Sequence, residues 1–375
     1  MRIAFVSDSY KPYVSGVTHC ITLWKRVLEG WGHEVYVFSF GDPSFDPRES
    51  NVVYSPGIAL PNGFFIGAGF SRQAQSLLKN MDVVHLNHPF LTGPYVARML
   101  SGLNVPLVFT NHTRYDLYFD YYFPFLSDKF QKNVLRRALH SFYQKVDRII
   151  FPSRSVLEML SHLNLKVQGV IIPNGVEVER LRGGQKERCS LYKPLQGKKM
   201  VLFLGRLSAE KNARFVLQAF LNHLEDFPDT CLVFAGDGRE RGVLEQMVAQ
   251  KNAREHVIFA GKISYDQVPD YLALADVFVT ASLSEVHPLT VMEAQAAGVP
   301  VVAVHAPGVD EIVKDGETGF LTTLDEEEFA QKLALLCGDA SLRQKFHLQT
   351  LTHGETFRVE YTVQRLLEEY ERLME

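Results

Sequence analysis

Cysteine is scarce in this chain of 375 residues: Cys20, Cys189, Cys231 and Cys337 lie far apart and form no Cys-x-x-Cys pair. That pattern argues against a zinc knuckle or a disulfide framework and suits a reducing compartment. Long apolar runs are missing too. No segment approaches the roughly 18 consecutive apolar residues of a membrane-spanning helix. The start, MRIAFVSDSY, enters a strand-like segment without the charged, apolar and small-residue regions of a signal peptide. The expected setting is cytoplasmic, with any membrane contact made from the surface. There is no excess of positive charge: 39 Lys and Arg stand against 43 Asp and Glu, a net −4, which argues against a dedicated nucleic-acid binder. No fixed-period repeat or low-complexity tract stands out.

What is present is an ordinary globular composition, 46% hydrophobic and 22% charged. The length exceeds one typical core, and two domains are expected. Short runs of Val, Ile and Phe alternate with longer stretches of helical period, the pattern of parallel sheets covered by helices. A first series of strands is expected at 3–7, 35–40, 83–86, 107–110 and 148–151, and a second at 201–204, 232–235, 257–260, 277–280 and 301–304. Two such series imply an α/β protein of two doubly wound domains. The breakers Pro173, Asn174 and Gly175 in IIPNGVEVERL mark the boundary, and 183–199 reads as a polar loop into the second domain. After Phe357, YTVQRLLEEYERL reads as a terminal helix; periodicity leaves open which domain it packs on.

Ligands of open α/β sheets bind beyond the carboxyl ends of the strands, so the chemistry is sought there. VLFLGRLSAEKN ends a strand with Gly205 and Arg206 and reaches Lys211 at the start of a helical pattern. Two cations beside a helix N-terminus favour an anion such as phosphate; the bland alternative is a solvated basic loop. FAGDGRERG begins like a dinucleotide fingerprint, but Arg241 stands where the third glycine belongs and Gly242 comes one residue late. A hydride-transfer enzyme is therefore disfavoured. SEVHPLTVMEA follows another strand, with Glu285 in the turn and Glu293 inside a helix whose first position can be Pro288. Two carboxylates lining one crevice suit a polyol: one for a sugar's hydroxyls, one for a ribose diol. A capping glutamate and a solvated one are the alternative.

In this order GRLSAEKN, AGDGRER, GKISYDQVPDYLALADVFVTASLSEVHPLTVMEAQAAGVPVVA and DGETGFL resemble the second domain of family-4 retaining glycosyltransferases. The resemblance covers nearly the whole chain. It implies the GT-B architecture, two Rossmann-like domains facing a central cleft with a C-terminal helix crossing back to the first. The domains would be 1–175 with 358–375, binding the acceptor, and 176–357, binding the nucleotide-sugar donor. Carried over residue by residue, Arg206 and Lys211 would hold the donor diphosphate, Glu293 the ribose and Glu285 the donor sugar. The backbone at Lys262 and Ile263 would face the base, and Gly16 in KPYVSGVTH would let the first loop approach the diphosphate. His112 in LVFTNHTRYD would lie by the donor sugar and the reacting centre, so that His112 and Glu285 form the catalytic set; among thirteen histidines, His85, His88 and His287 compete.

Members of the family usually carry glycine where Pro288 stands, and Pro288 has no N–H to offer a sugar, so either His287 or Leu289 supplies that contact or the sugar sits differently. No Asp-x-Asp occurs. The resemblance thus implies no metal and no cofactor beyond the co-substrate, with Arg206, Lys211 and a helix N-terminus neutralising the leaving diphosphate. Retention implies same-face attack, the departing phosphate helping to deprotonate the acceptor.

On the acceptor side, YDLYFDYYFPFL, Tyr115 to Leu126, holds seven aromatics in twelve residues. In the helical pattern that follows, Phe130, Val134, Leu135, Ala138, Leu139 and Phe142 share one arc, and Lys129, Lys132, Arg136 and Arg137 the other. A basic amphipathic helix suits an anionic membrane surface; a core helix with a solvated face is the alternative. DSYKPYVSGVTHCI and NHTRYDLYFDYY look like segments of family members that glycosylate lipids, such as diacylglycerol glucosyltransferases and related mannosyltransferases. The resulting expectation is transfer of a hexose, from UDP-glucose before GDP-mannose, to a lipid such as diacylglycerol at the inner face of the cell membrane. A soluble acceptor, a nucleotide-sugar epimerase of similar architecture and a silent nucleotide-sugar-binding protein are the alternatives.

Overall fold

The computed structural model describes residues 1–13, 15–45, 47–59, 65–117 and 128–375. The chain divides into two compact units, Met1–Gly175 with Val359–Glu375, and Val176–Arg358.

The first unit holds β1 (Arg2–Val6), β2 (Glu34–Gly41), β3 (Val52–Pro56), β4 (Ile58–Ala59), β5 (Phe65–Ile66), β6 (Val83–Leu86), β7 (Leu107–Thr110), β8 (Arg148–Phe151) and β9 (Val170–Ile171). Seven of these form a sheet in the order β3-β2-β1-β6-β7-β8-β9, while β4 and β5 pair on their own. All pairs in the large sheet are parallel. Ile3, Ala4, Phe5 and Val6 are buried, as are Val83, Val84 and Leu86, because helices cover both faces and leave no polar side to the central strands. The helix Gly16–Gly30 starts at Ser15, whose hydroxyl accepts from the Thr18 N–H, and it buries Ile21, Leu23, Trp24 and Leu28.

The terminal helix Val359–Met374 belongs to this unit. Its Tyr370 hydroxyl meets His85 Nδ1, its Thr362 hydroxyl donates to the Pro173 carbonyl at 2.8 Å, and its Glu369 pairs with Arg148 at 3.0 Å. These polar contacts hold the terminal helix on the first unit, a placement that helical period leaves open.

The second unit holds β10 (Lys199–Leu204), β11 (Thr230–Ala235), β12 (Val257–Gly261), β13 (Val277–Thr280), β14 (Val301–Val304) and β15 (Gly319–Thr322), in the order β12-β11-β10-β13-β14-β15. Side-chain alternation along these strands feeds two cores. Val201, Phe203, Leu232, Phe234, Val277 and Val279 enter one, and Met200, Leu202, Cys231, Val233 and Phe278 the other.

The ten strands read from apolar runs are all present, and β3, β4, β5, β9 and β15 are additional. β3 is an edge strand ending in Pro56, β9 has only two residues, and β15 opens on a glycine. β3 holds only Val52 and Val53, β9 only Val170 and Ile171, and β15 only Thr322 as branched residues, so none carries a long branched run.

The helix Asp128–Tyr143 departs from its expected arc. Leu135, Leu139 and Phe142 are buried, and so is Gln131, but Phe130 and Val134 are 56% and 43% exposed. The buried stripe is rotated toward Gln131, so Phe130 and Val134 stand in solvent with Lys129, Lys132, Arg136 and Arg137. Of the aromatic stretch, only Tyr115 to Leu117 fall within the described residues.

Candidate active site

In the second unit the sheet order reverses direction at β10, which has β11 on one side and β13 on the other. Such a switch point opens a crevice at the carboxyl ends of the strands. Arg206 and Lys211 follow β10, and Glu285 follows β13, so topology alone gathers them. After β10 the chain turns through Ala209–Lys211 into the helix Ala213–Asn222, with Asn212 left-handed at φ 51°. The Ser282 hydroxyl, just past β13, donates to the Glu210 carbonyl at 3.2 Å and ties the two strand-end loops together.

Lys211 Nζ forms an ion pair with Glu285 Oε1. Burial alone pushes the Glu285 carboxyl up. The Lys211 ammonium, hydrogen bonds from Lys211 and Ser282, and the Arg206 charge together outweigh it, and the group ends below its ordinary value. Glu285 is thus held ionised while Arg206 is exposed. Behind it, a Cβ on Gly308 would come within 2.2 Å of the Val286 carbonyl oxygen, so the backbone under Glu285 rests directly on a residue without a side chain. A similar approach joins the loops after β10 and β11, where a Cβ on Gly236 would stand 1.8 Å from the Gly205 oxygen.

The helix Leu289–Ala296 begins one residue later than expected. Pro288 precedes it with φ −69° and ψ 115°, an extended ψ that keeps it outside the helix, and it supplies no side-chain cap. The first-turn N–H groups from Leu289 on therefore point out of the helix start without a side-chain acceptor from the cap, an electropositive end. His287 beside it is buried, and burial lowers its pKa to about 4, which keeps the ring neutral.

Glu293 lies deeper, 4% exposed. Burial raises its pKa to about 8, against the pull of Arg180 and with the push of Glu177. The two carboxylates therefore differ in kind: one ionised against Lys211, the other held near neutrality beside Arg180. Arg180 itself donates to the Tyr265 carbonyl at 3.0 Å and stacks 4.0 Å from the Tyr265 ring. That anchors the turn after β12, where Lys262 is exposed and Ile263 half-buried against the core.

In the first unit the switch point falls between β1 and β6. His112, beyond β7, stacks on Trp24 with centroids 5.8 Å apart, and its Nε2 lies 2.9 Å from Asn87 Oδ1. The Asn87 amide nitrogen donates to the Val6 and His85 carbonyls, so its oxygen must accept, which places the His112 proton on Nε2 and the lone pair on Nδ1. Burial, then the neighbouring His85 and His88, lowers the His112 pKa well below the ordinary histidine value. His85 is fully enclosed between Tyr370 and the Thr110 hydroxyl, and burial lowers its pKa to about 3, a structural role. Gly16 is exposed at its helix start, and a Cβ there would meet nothing within 4 Å.

Sequence reasoning passes over Ser282, Arg180, Asn87, Ser7 and Asp8. The polar residues directly after β1 and β6 were the available signal. Among the described residues no cluster of three or more His, Cys, Asp or Glu forms a metal site, and no helix is long and apolar enough to cross a membrane.

Two parallel Rossmann-like sheets, each with polar groups gathered at its switch point, define a GT-B protein. The model for Glycosyltransferase Family 4 matches residues 14–180, and that for Glycosyl transferases group 1 matches 192–350. The chain is 31% identical over 335 residues to the alpha-monoglucosyldiacylglycerol synthase of Streptococcus pneumoniae, covering 86% of this chain and 75% of the relative. It is 27% identical over 344 residues to the enzyme of the same name from Acholeplasma laidlawii, covering 87% and 86%. Its fold matches Anabaena HepE in complex with UDP, with TM-score 0.80 at 19% identity over 99% of this chain and 100% of that one. Sucrose-phosphate synthase from Thermosynechococcus elongatus also gives TM-score 0.80, at 20% identity over 99% and 98%. The chain belongs to the family-4 glycosyltransferases: it is a hexosyltransferase that uses a nucleotide-activated sugar.

Proposed function

We propose that the protein transfers glucose from UDP-glucose to the hydroxyl of a membrane lipid such as diacylglycerol, with retention of configuration and without a metal. The observation that carries the donor side is the set at the β10/β13 switch point: Arg206 and Lys211 for the diphosphate, Glu285 for the sugar and Glu293 for the ribose diol. The uncapped start of Leu289–Ala296 adds backbone donors for charge that develops on the leaving diphosphate. Leu289, whose N–H stands where Pro288 has none, takes the sugar contact, and the backbone at Lys262 and Ile263 takes the base. Gly16 lies open in the first unit for a close approach to the diphosphate. The neutral His112, oriented through Asn87, offers Nδ1 to a sugar hydroxyl. In the transfer the anomeric carbon–phosphate oxygen bond breaks, its electron pair leaves with the diphosphate, and the acceptor oxygen forms the new bond on the same face.

The lipid acceptor is supported by two relatives named alpha-monoglucosyldiacylglycerol synthase and by the exposed Phe130 and Val134 among Lys129, Lys132, Arg136 and Arg137. That strip suits peripheral association with an anionic bilayer at the inner face of the cell membrane. A second donor, GDP-mannose, is favoured by relatives named GDP-mannose-dependent alpha-mannosyltransferase in Corynebacterium glutamicum and Mycolicibacterium smegmatis, 26% and 29% identical.

Incubation with UDP-glucose or GDP-mannose and mixed vesicles of diacylglycerol and phosphatidylglycerol tests the reading. A glycosyldiacylglycerol of α configuration from one donor, lost with Glu293→Ala together with nucleotide affinity, is the expected result. Release of free sugar without glycolipid would favour an epimerase instead.

A further inference from the structure

The short helix Val178–Arg182, within the second unit, touches two separate parts of the crevice beyond the strand ends. Arg182, at its end, donates from Nε at 3.1 Å to the carbonyl of Ala296, the last residue of the helix that carries Glu293. Arg180 faces the turn after β12. Its Nη2 donates to the Tyr265 carbonyl at 3.0 Å and to Asp266 Oδ1 at 2.7 Å, and its guanidinium lies 4.0 Å from the centre of the Tyr265 ring. Glu177 Oε2, 3.3 Å from Nη1, holds the other arm of the fork. The turn is tied elsewhere too: the Gly236 N–H donates to the Gly261 carbonyl at 2.8 Å, and Ser264 and Gln267 close a capping box. Lys262 and Ile263 stand between these anchors.

We propose that Arg180 is the positioning residue for the base of the donor nucleotide, holding the turn at Lys262 and Ile263 at a fixed distance from the helix that carries Glu293. The inference rests on the reading that this turn faces the base and Glu293 the ribose. Base and ribose are joined by a single bond, so a site that reads both must keep its two walls at one separation. A short helix bonded to both walls does that without touching the ligand. Arginine suits the task because its planar fork stacks on a ring and bonds a carbonyl at once, whereas a lysine ammonium offers only a point charge. With its face on Tyr265 and Nη2 spent on the turn, Arg180 serves the nucleoside wall and leaves the diphosphate to Arg206 and Lys211. Its charge reaches Glu293 as well, where it pulls against the effect of burial.

The test uses the full chain and its affinities for UDP and GDP, read by calorimetric titration. Wild type should prefer one of the two, because fixed backbone groups match one pattern of donors and acceptors on a base edge. Arg180→Gln should shrink that preference by about tenfold, the scale of an anchored guanidinium–ring contact. It should raise KM for the sugar donor while kcat stays within about threefold. Arg180→Lys should behave alike, since it keeps the charge beside Glu293 but loses the fork. Tyr265→Leu removes the ring from the other side, should shrink the preference as much, and remains informative where an Arg180 variant fails to fold. Arg180→Gln combined with Tyr265→Leu should lose no more than the larger single change, because residues acting through one contact are not additive. A preference kept within about twofold in folded Arg180→Gln, full recovery in Arg180→Lys, or losses that multiply in the double variant overturns the positioning role while the donor reading stands. A wild type that binds neither nucleotide overturns the donor reading, and one that binds both equally overturns the assignment of the turn to the base; this inference falls with either.

Discussion

Lys211 and Glu285 neutralise each other across the strand-end loops of β10 and β13. The ammonium proposed for the diphosphate is therefore already engaged by the carboxylate proposed for the sugar. An incoming diphosphate must share Lys211 with Glu285, which costs part of the attraction. Glu285→Gln should free Lys211 and tighten binding of the bare nucleoside diphosphate by about threefold to tenfold, the scale of a part-exposed ion pair. Transfer should fall at the same time. Calorimetric titration with UDP and GDP reads the first effect, and equal or weaker affinity in the variant would show that Lys211 serves only Glu285.

Glu293 gives stability a pH dependence of definite sign. Its carboxyl is raised from 4.5 to about 8 by burial, so between those values the native state holds a proton that the unfolded chain has lost. The contribution is complete below the unfolded value and fades as pH rises through the window, by up to roughly 1.4 kcal/mol per pH unit. Glu293→Gln, neutral at every pH, should show a smaller loss of stability from pH 5 to pH 8 than wild type. Urea unfolding at both values measures it, and parallel slopes in the two proteins would place the Glu293 carboxyl in an ordinary environment.

Two glycines should separate packing from ligand approach. A Cβ on Gly308 would press 2.2 Å from the Val286 oxygen and 2.7 Å from that of Glu285, so Gly308→Ala should destabilise by about 1–3 kcal/mol and displace Glu285. A Cβ on Gly16 meets nothing within 4 Å, and Gly16→Ala should leave stability within about 0.5 kcal/mol. If the donor approaches there, Gly16→Ala should still weaken binding of the nucleotide sugar. Thermal midpoints and donor titrations on both variants decide, and an unchanged donor affinity would remove Gly16 from the site.

What could be read before the structure follows the range of the interactions. Arg206, Lys211 and Glu285 were legible because each stands just past an apolar run, and strand ends are where an α/β sheet exposes function. Ser282, Arg180 and Asn87 were not, because their meaning lies in partners far along the chain. Pro288 was misplaced by one residue, since proline suits both the first helical position and the residue before it, and only ψ distinguishes them. By period alone Phe130 and Val134 share one apolar arc with Leu135, Leu139 and Phe142. The helix instead turns Gln131 inward, which a pattern of apolar residues does not show.

That rotation of Asp128–Tyr143 carries the last prediction, because apolar and charged groups on one exposed strip respond differently to salt. Basic residues near an anionic bilayer contribute about 1 kcal/mol each and are screened within a Debye length, so Arg136→Gln with Arg137→Gln should lower binding to phosphatidylglycerol vesicles by about 30-fold at low ionic strength. At 0.5 M salt wild type and this variant should converge. Phe130→Ser with Val134→Ser removes apolar surface that salt does not screen, so its deficit should persist at both ionic strengths. Vesicle sedimentation across a salt series reads both. If the charge variant loses nothing at low salt and the apolar variant nothing at high salt, the strip is a solvated helix face and the lipid is reached by another surface.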